Sequence, residues 1–328
     1  MVDPRFRSSW RQAHERQATP ADLTIRGATC LCSAMSTRNT VRYRWTHPLT
    51  AGNRLRAFVD FARWQVGSRL LPGPAVVPFV ADTQLVVERG MTAATGNLYA
   101  GLHEPESMGF VLHFLRPNDL FVDVGANVGT YTVLASGAAG SRSVAFEPIP
   151  LTFARLSRNV AINALGDRVD ARREGVGAAP GRLLFSTDRD TNNHVLRPGE
   201  PGSESALEVP VTTLDTALEG LAPTLLKIDV ERMEVEVLRG GPGVLASPSL
   251  LAISMELTPF RGYDLGEVVG GLVGQGWTRV GYDPLTRRMW ELAVDAPFKG
   301  NLLFVRDPRA ASERLATAPR YRIRGMDL

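Results

Sequence analysis

The segment DLFVDVGANVGTYTVLAS, residues 119–136, decides the fold. Its apolar run Phe121-Val122-Asp123-Val124 reads as a buried strand, and a turn bearing Gly125 and Gly129 follows at once. Thr130–Ala135 then opens a helix. Working outward, Ser143–Phe146 predicts a second strand that ends at Glu147, and residues 150–165 predict a helix stopped by Gly166. A third strand falls near Val169–Ala171, a fourth central strand at Leu225–Asp229 and another at Leu250–Met255. Leu183–Phe185 and Leu207–Val211 read as a strand pair, joined by a polar segment, Ser186–Ser205, that is long for a hairpin loop. A helix starting at Glu231, a helix at Leu265–Val273, the stretch Trp277–Tyr282 and a last strand Leu302–Val305 complete the pattern. Strands alternating with helices predict an α/β fold built on a doubly wound, mostly parallel sheet. Ligands in such sheets lie beyond the carboxyl ends of the strands.

Around this domain, assigned to residues 99–308, the sequence is less regular. Residues 1–40 are polar and read as a loosely ordered extension, with Arg5, Arg7, Arg11 and Arg16 among them. Residues 41–98 read as a cap or accessory segment. Within it, Leu55, Phe58, Val59 and Ala62 have the spacing of one helix face, and Val76–Phe79 and Thr83–Val87 are β-like. Residues 309–328 read as a basic tail.

The chain has 328 residues, 44% of them apolar, enough for one substantial core. Its 37 Lys and Arg against 34 Asp and Glu give a formal charge of +3, which argues against nucleic acid as a partner. Cys30 and Cys32, the 2 cysteines, are too closely spaced for a metal or redox pair, and a reducing, cytoplasmic setting suits them. No apolar run approaches the roughly 20 residues of a membrane-spanning helix. The oligomeric state is not written in the sequence.

The glycine turn is the central chemical signal. Gly125 removes a Cβ where the chain turns sharply, and Gly129 lets the helix start come close to sheet or ligand. The helix N-terminus is expected to offer unpaired N–H groups. Asp123 ends the strand, where a carboxylate can accept hydrogen bonds from a ligand or the loop. A dinucleotide fingerprint would carry glycine at the position of Asn127, so an NAD-dependent oxidoreductase is the weaker alternative. Glu147 stands at the end of the next strand, the right place for a carboxylate to accept from ribose hydroxyls.

With these residues in place, the chain resembles the FkbM family of S-adenosylmethionine-dependent methyltransferases. The resemblance runs from about Tyr99 to Val305 through "GLHEPESM" from Gly101, "DLFVDVGANVGTYTVLAS" from Asp119, "VAFEPIP" from Val144, "VPVTTLD" from Val209, "LLKIDVERMEVEVLRG" from Leu225 and "LAISMEL" from Leu251. It implies a class I methyltransferase domain, S-adenosylmethionine as cofactor, and O-methylation of a sugar or secondary metabolite. It also implies that Glu104 lies in a cofactor-side segment, that Asp123 and Gly125 frame the amino-acid end of the cofactor, with Asn127 and Gly129 of the same turn among the cofactor-binding residues, and that Glu147 takes the ribose. Where the family usually has glycine, this chain has Arg232. Either the local turn is ordinary helix, or Arg232 points into the acceptor pocket. A catalytically silent binding protein on the same fold is the second alternative.

Methyl transfer to oxygen needs an in-line nucleophile and a destination for its proton. The candidates for that base are Asp229 and Glu231 around the fourth central strand, Glu256 at the end of the next one, and His194 in the long polar loop beside Asn193, a candidate acceptor contact. Asp229, Glu231 and Glu256 together could hold a divalent cation through oxygen ligands, but no compact motif favours a metal. The acceptor is expected to be a small molecule or glycan.

Overall fold

A computed structural model describes residues 47–50, 53–185, 206–230, 232–257, 264–297 and 300–328. The expectations for residues 1–40, Cys30, Cys32, Asn193, His194 and Glu231 lie outside these residues. The strands are β1 (Ala75–Pro78), β2 (Gln84–Val87), β3 (Leu120–Val124), β4 (Arg142–Phe146), β5 (Val169–Arg172), β6 (Gly175–Val176), β7 (Gly181–Phe185), β8 (Leu207–Thr212), β9 (Leu225–Ile228), β10 (Ala252–Glu256), β11 (Thr278–Asp283), β12 (Arg288–Glu291), β13 (Asn301–Val305), β14 (Arg322–Ile323) and β15 (Met326–Asp327). The helices are α1 (Arg54–Leu70), α2 (Thr92–Ala100), α3 (Pro105–Phe114), α4 (Thr130–Val133), α5 (Pro150–Ile162), α6 (Leu214–Ala217), α7 (Glu234–Arg239), α8 (Pro242–Ala246), α9 (Leu265–Gly274) and α10 (Pro308–Ala316).

The main sheet has the order β12-β11-β13-β10-β9-β3-β4-β5. Its centre, β10-β9-β3-β4-β5, is parallel throughout, and β13 runs antiparallel to β10 and β11. This is the expected doubly wound, mostly parallel sheet. The strands of such a sheet are covered on both faces, which is why β3 and β9 are buried at every position. One apolar cluster, with Phe110, Phe121 and Leu134, fills one face, and another, with Val122, Ile228, Ile253 and Phe304, fills the other. The expected pair β7–β8 is antiparallel and joins β6 in a separate three-stranded sheet.

Several boundaries differ from expectation, each for a local reason. Helix α5 ends at Ile162, three residues early, because Ala164 takes φ +52°. After β9 no helix begins at Arg232, which takes φ +75°, so α7 starts only at Glu234. Arginine therefore occupies the left-handed conformation that the family's glycine favours, and the ordinary-helix reading of this turn is corrected. Residues 309–328 are not a tail. Leu315 of α10, Tyr321, Ile323 and Leu328 are buried in the main core, and Arg287 donates from its guanidinium to the Leu328 carbonyl at 2.7 Å.

The β1–β2 hairpin is fixed to the sheet domain through α5. The amide of Asn159 donates to the Val128 carbonyl at 2.7 Å, and its Oδ1 accepts from the Val86 N–H at 2.7 Å. Helix α1 packs through Ala57, the Phe61 ring edge-on to Tyr99 at 5.4 Å, and an Asp60–Arg324 ion pair at 2.8 Å. Of the residues with the spacing of one helix face, Leu55, Phe58 and Val59 turn outward.

Asn159 is fully buried and holds hairpin, helix and glycine turn together. Asn159→Ala leaves the Val86 donor and the Val128 acceptor buried without partners. It should lower the unfolding free energy by about 2–4 kcal/mol, read by urea denaturation. A loss below about 1 kcal/mol would show that the bridge contributes little.

Candidate active site

The glycine turn is built from the sheet outward, and it consumes its own donors. The N–H groups of Gly125 and Ala126 both donate to the Phe146 carbonyl, at 3.0 and 2.9 Å. Asn127, at φ +51°, donates its N–H to Glu147 Oε2 at 3.0 Å, and its side-chain oxygen accepts from the Val128 N–H at 2.7 Å. Gly129 N–H donates to the Ala126 carbonyl at 2.8 Å. The turn before the helix start, residues 125–129, thus bonds all of its own N–H groups. A phosphate-binding helix start needs free amides, and this turn has spent five of them.

The two glycines serve packing. A Cβ on Gly125, which lies at φ +82°, would stand 1.8 Å from the Asp229 carbonyl oxygen, so β3 and β9 close on each other there. A Cβ on Gly129 would meet Leu156 Cδ1 at 2.4 Å. The close approach made possible by Gly129 is thus to α5, not to the sheet.

Acids gather where parallel strands end. Asp123 lies on β3, Glu147 follows β4, Asp229 follows β9 and Glu256 closes β10. Asn301 pairs with Glu256 across β13 and brings its amide to the same rim. Asp123 is fully buried: Thr132 donates to its Oδ2 at 2.7 Å, and Lys227 Nζ lies 3.9 Å from its Oδ1. It lies beneath the rim of the site, and its Oδ1 has no hydrogen-bond partner. Lys227 Nζ donates to Asp229 Oδ2 at 2.8 Å and sits 4.6 Å from the centre of the Tyr131 ring. The Tyr131 hydroxyl donates to Glu104 Oε2 at 2.5 Å, and Asn301 donates to Glu104 at 3.2 Å and to Ser107 at 2.9 Å. Glu147 is held by Asn127 N–H on one oxygen and by Ile149 N–H, at 2.9 Å, on the other.

The charges sort themselves. Burial works against the ammonium of Lys227, but Asp229 and Asp123 outweigh it and keep the group charged. Burial also works against Asp229, yet Lys227 and hydrogen bonds from Glu256 and Lys227 hold its carboxyl below the usual range. Glu256 moves the other way, to about 10, because of the Asp229 charge first, then burial and the hydrogen bond to Asp229. Two carboxylates so close share one proton, and here it rests on Glu256. Burial raises Glu147 to about 7 against its two loop hydrogen bonds. Burial, then Glu104, pushes the Tyr131 hydroxyl well up, so it stays a donor.

The structure thus brings together Glu104, Asp123, Asp229 and Glu256, with Glu147 and the glycine turn on the neighbouring strand end. Arg232 lies exposed on the turn after β9. Tyr131, Ser107 and Asn301 were missed in the sequence. Their signal is a polar residue within an apolar element, and it is weak until three elements converge. Among the described residues no group of three His, Cys, Asp or Glu could hold a metal ion. The Lys227 ammonium already stands where a cation would meet Asp229.

Residues 123–290 match the methyltransferase FkbM domain. The chain is 29% identical over 152 residues to hexuronic acid methyltransferase AglP of Haloferax volcanii, a match over 46% of this chain and 62% of that protein. It is 31% identical over 205 residues to 31-O-demethyl-FK506 methyltransferase FkbM of Streptomyces tacrolimicus, over 52% of this chain and 77% of the relative. A solved methyltransferase FkbM from Methylobacillus flagellatus KT aligns with TM-score 0.41 and 16% identity over 65% of this chain and 54% of that one. The chain therefore spans less than two thirds of the length of AglP.

The shared proton is testable through stability. Folded Glu256 keeps its proton to about 10, whereas an unfolded glutamate loses it near about 4.3. Unfolding between those values releases a proton, so this residue's contribution falls as pH rises. Glu256→Gln keeps a neutral donor toward Asp229. From pH 5 to 9, wild-type unfolding free energy should decline relative to the variant by up to about 1.4 kcal/mol per pH unit. Parallel profiles would place the proton elsewhere.

Proposed function

The chain belongs to the methyltransferase FkbM domain family, and from that premise we propose that it transfers a methyl group from S-adenosylmethionine to a hydroxyl of a sugar or secondary metabolite. One observation carries the cofactor reading: the rim of the site offers acceptors, while the amides of residues 125–129 are spent. That donor set suits a cationic nucleoside and suits a pyrophosphate poorly. It also weighs against the oxidoreductase alternative. When bound, S-adenosylmethionine supplies an electrophilic methyl on a sulfonium. Glu147, fixed by two loop amides, would hold the ribose hydroxyls. Glu104, oriented by Tyr131 and Asn301, would accept from the amino-acid end. The glycine turn with Asn127 and Gly129 forms the wall between them, and Asp123 acts through Thr132 and Lys227.

Of the described candidates for the base, Glu256 holds a proton at neutral pH and cannot take another. Asp229 is ionised and stands at the strand end next to Glu104's network. It would accept a hydrogen bond from the acceptor hydroxyl and take its proton late, as attack raises the acidity of that oxygen. Lys227 keeps Asp229 in one orientation. Glu231 and His194 are proposed as further proton acceptors, and Arg232 and Asn193 as acceptor contacts. The substrate class rests on the relatives, one named for a hexuronic acid and one for an O-methylated position of a metabolite. A cytoplasmic setting is proposed with it. Among the described residues no helix is long and apolar enough to cross a membrane.

Incubation with methyl-labelled S-adenosylmethionine and a panel of hydroxylated acceptors, read by mass spectrometry, should give a product heavier by one methyl on oxygen. Asp229→Asn should cut kcat by about 10²–10⁴-fold and leave cofactor affinity within a few-fold. Glu147→Ala should instead weaken cofactor binding in calorimetry on the order of tenfold or more. Binding of a nicotinamide dinucleotide but not of S-adenosylmethionine would sink the reading.

A further inference from the structure

Helix α1 has two apolar faces, and the fold uses one. At about 100° per residue, Leu55, Phe58, Val59, Ala62, Val66 and Leu70 fall within a stripe about 120° wide. Its large members are exposed: Leu55 by 76%, Phe58 by 54%, Val66 by 57% and Leu70 by 74%. Leu71, 82% exposed, and Val76 on β1, 58% exposed, are further exposed apolar side chains that follow the helix in the chain. Scattered exposed leucines are ordinary, but a contiguous stripe on one helix is not. Exposed Arg56 and Arg63 border it on one side. Exposed Arg54 borders the other, and Arg69 falls within the stripe at its C-terminal end, its guanidinium held by the Gln65 side chain at 2.6 Å. The helix's only acid, Asp60, lies on the opposite face and is engaged by Arg324 at 2.8 Å.

We propose that this face of α1 lies in the plane of an anionic lipid surface, with the stripe seated among the acyl-chain ends and the arginines at the headgroups. A helix with an apolar stripe bordered by arginines has the chemistry of an interfacial element. Charge selects the occupant. A second copy pairing helix to helix would set Arg56, Arg63 and Arg69 against their own counterparts, with no acid of the helix on that side. A negative membrane satisfies the cations and the stripe together. The proposal uses no residue of the acidic cleft and stands or falls without the acceptor assignment.

The test uses the full chain and sedimentation with vesicles of phosphatidylcholine, with or without about 30% phosphatidylglycerol, at roughly 0.1 M salt. Binding to the anionic vesicles should exceed binding to the neutral ones by on the order of tenfold. The combined variant Phe58→Ser, Val66→Ser, Leu70→Ser should lose at least about tenfold of it. Arg56→Gln with Arg63→Gln should lose about fivefold per arginine. All of these side chains are exposed, and unchanged melting curves would verify that both variants fold. The proposal is overturned if the wild type ignores anionic vesicles, or if folded variants bind as well as it does. It is equally overturned if the wild type is a dimer in vesicle-free buffer that the apolar variant dissociates, which would assign the stripe to a second copy.

Discussion

The ammonium of Lys227 is the constraint around which the site is assembled. It is buried on β9 between Asp123 of the neighbouring strand and Asp229 at its own strand end, under the Tyr131 ring. A charge taken out of water is costly unless it is paired. Two carboxylates supply the pairing, and the consequences spread outward. Asp229 is held ionised, its charge drives a proton onto Glu256, and Asp123 is drawn beneath the site. The lysine thus holds Asp229 ionised and, through it, the proton on Glu256, while burial raises the Asp123 carboxyl against the pull of the same ammonium.

The second organising feature is steric. Gly125 lets the turn after β3 press against the Asp229 backbone, so the floor of the site and its principal acid belong to one contact. The same tight turn bends its amides back onto Phe146, Glu147 and Asn127. The loop bonds its own amides, and carboxylates line the ends of the neighbouring strands. Preorganised acceptors of this kind favour a positively charged ligand bearing hydroxyls.

Periphery and centre follow different rules. Asn159 ties the β1–β2 hairpin to the helix that packs on Gly129, so the cap shares its anchor with the glycine turn. The C-terminal residues fold back into the core beside α3. Helix α1 is attached through a narrow face and leaves its broader apolar face outside. What the domain does not need for its own packing remains open to another surface.

The sheet was legible because its evidence is local. Apolar runs of strand length, helix-spaced segments and glycines at turns follow from short-range sterics and burial, and so does the placement of Asp123, Glu147, Asp229 and Glu256 at strand ends. Arg232 showed that a turn differed from the family, but only the backbone decided that it kept a left-handed conformation. The direction of α1's stripe, the folding of residues 309–328 and the gathering of Tyr131, Ser107 and Asn301 around Glu104 depend on elements up to about two hundred residues apart. Periodicity reports that a face is apolar, not what covers it, and spacing places an acid without telling which one carries the proton. Those outcomes are set by distances between charges and by the area each neighbour removes from water, and both exist only once the chain has closed on itself.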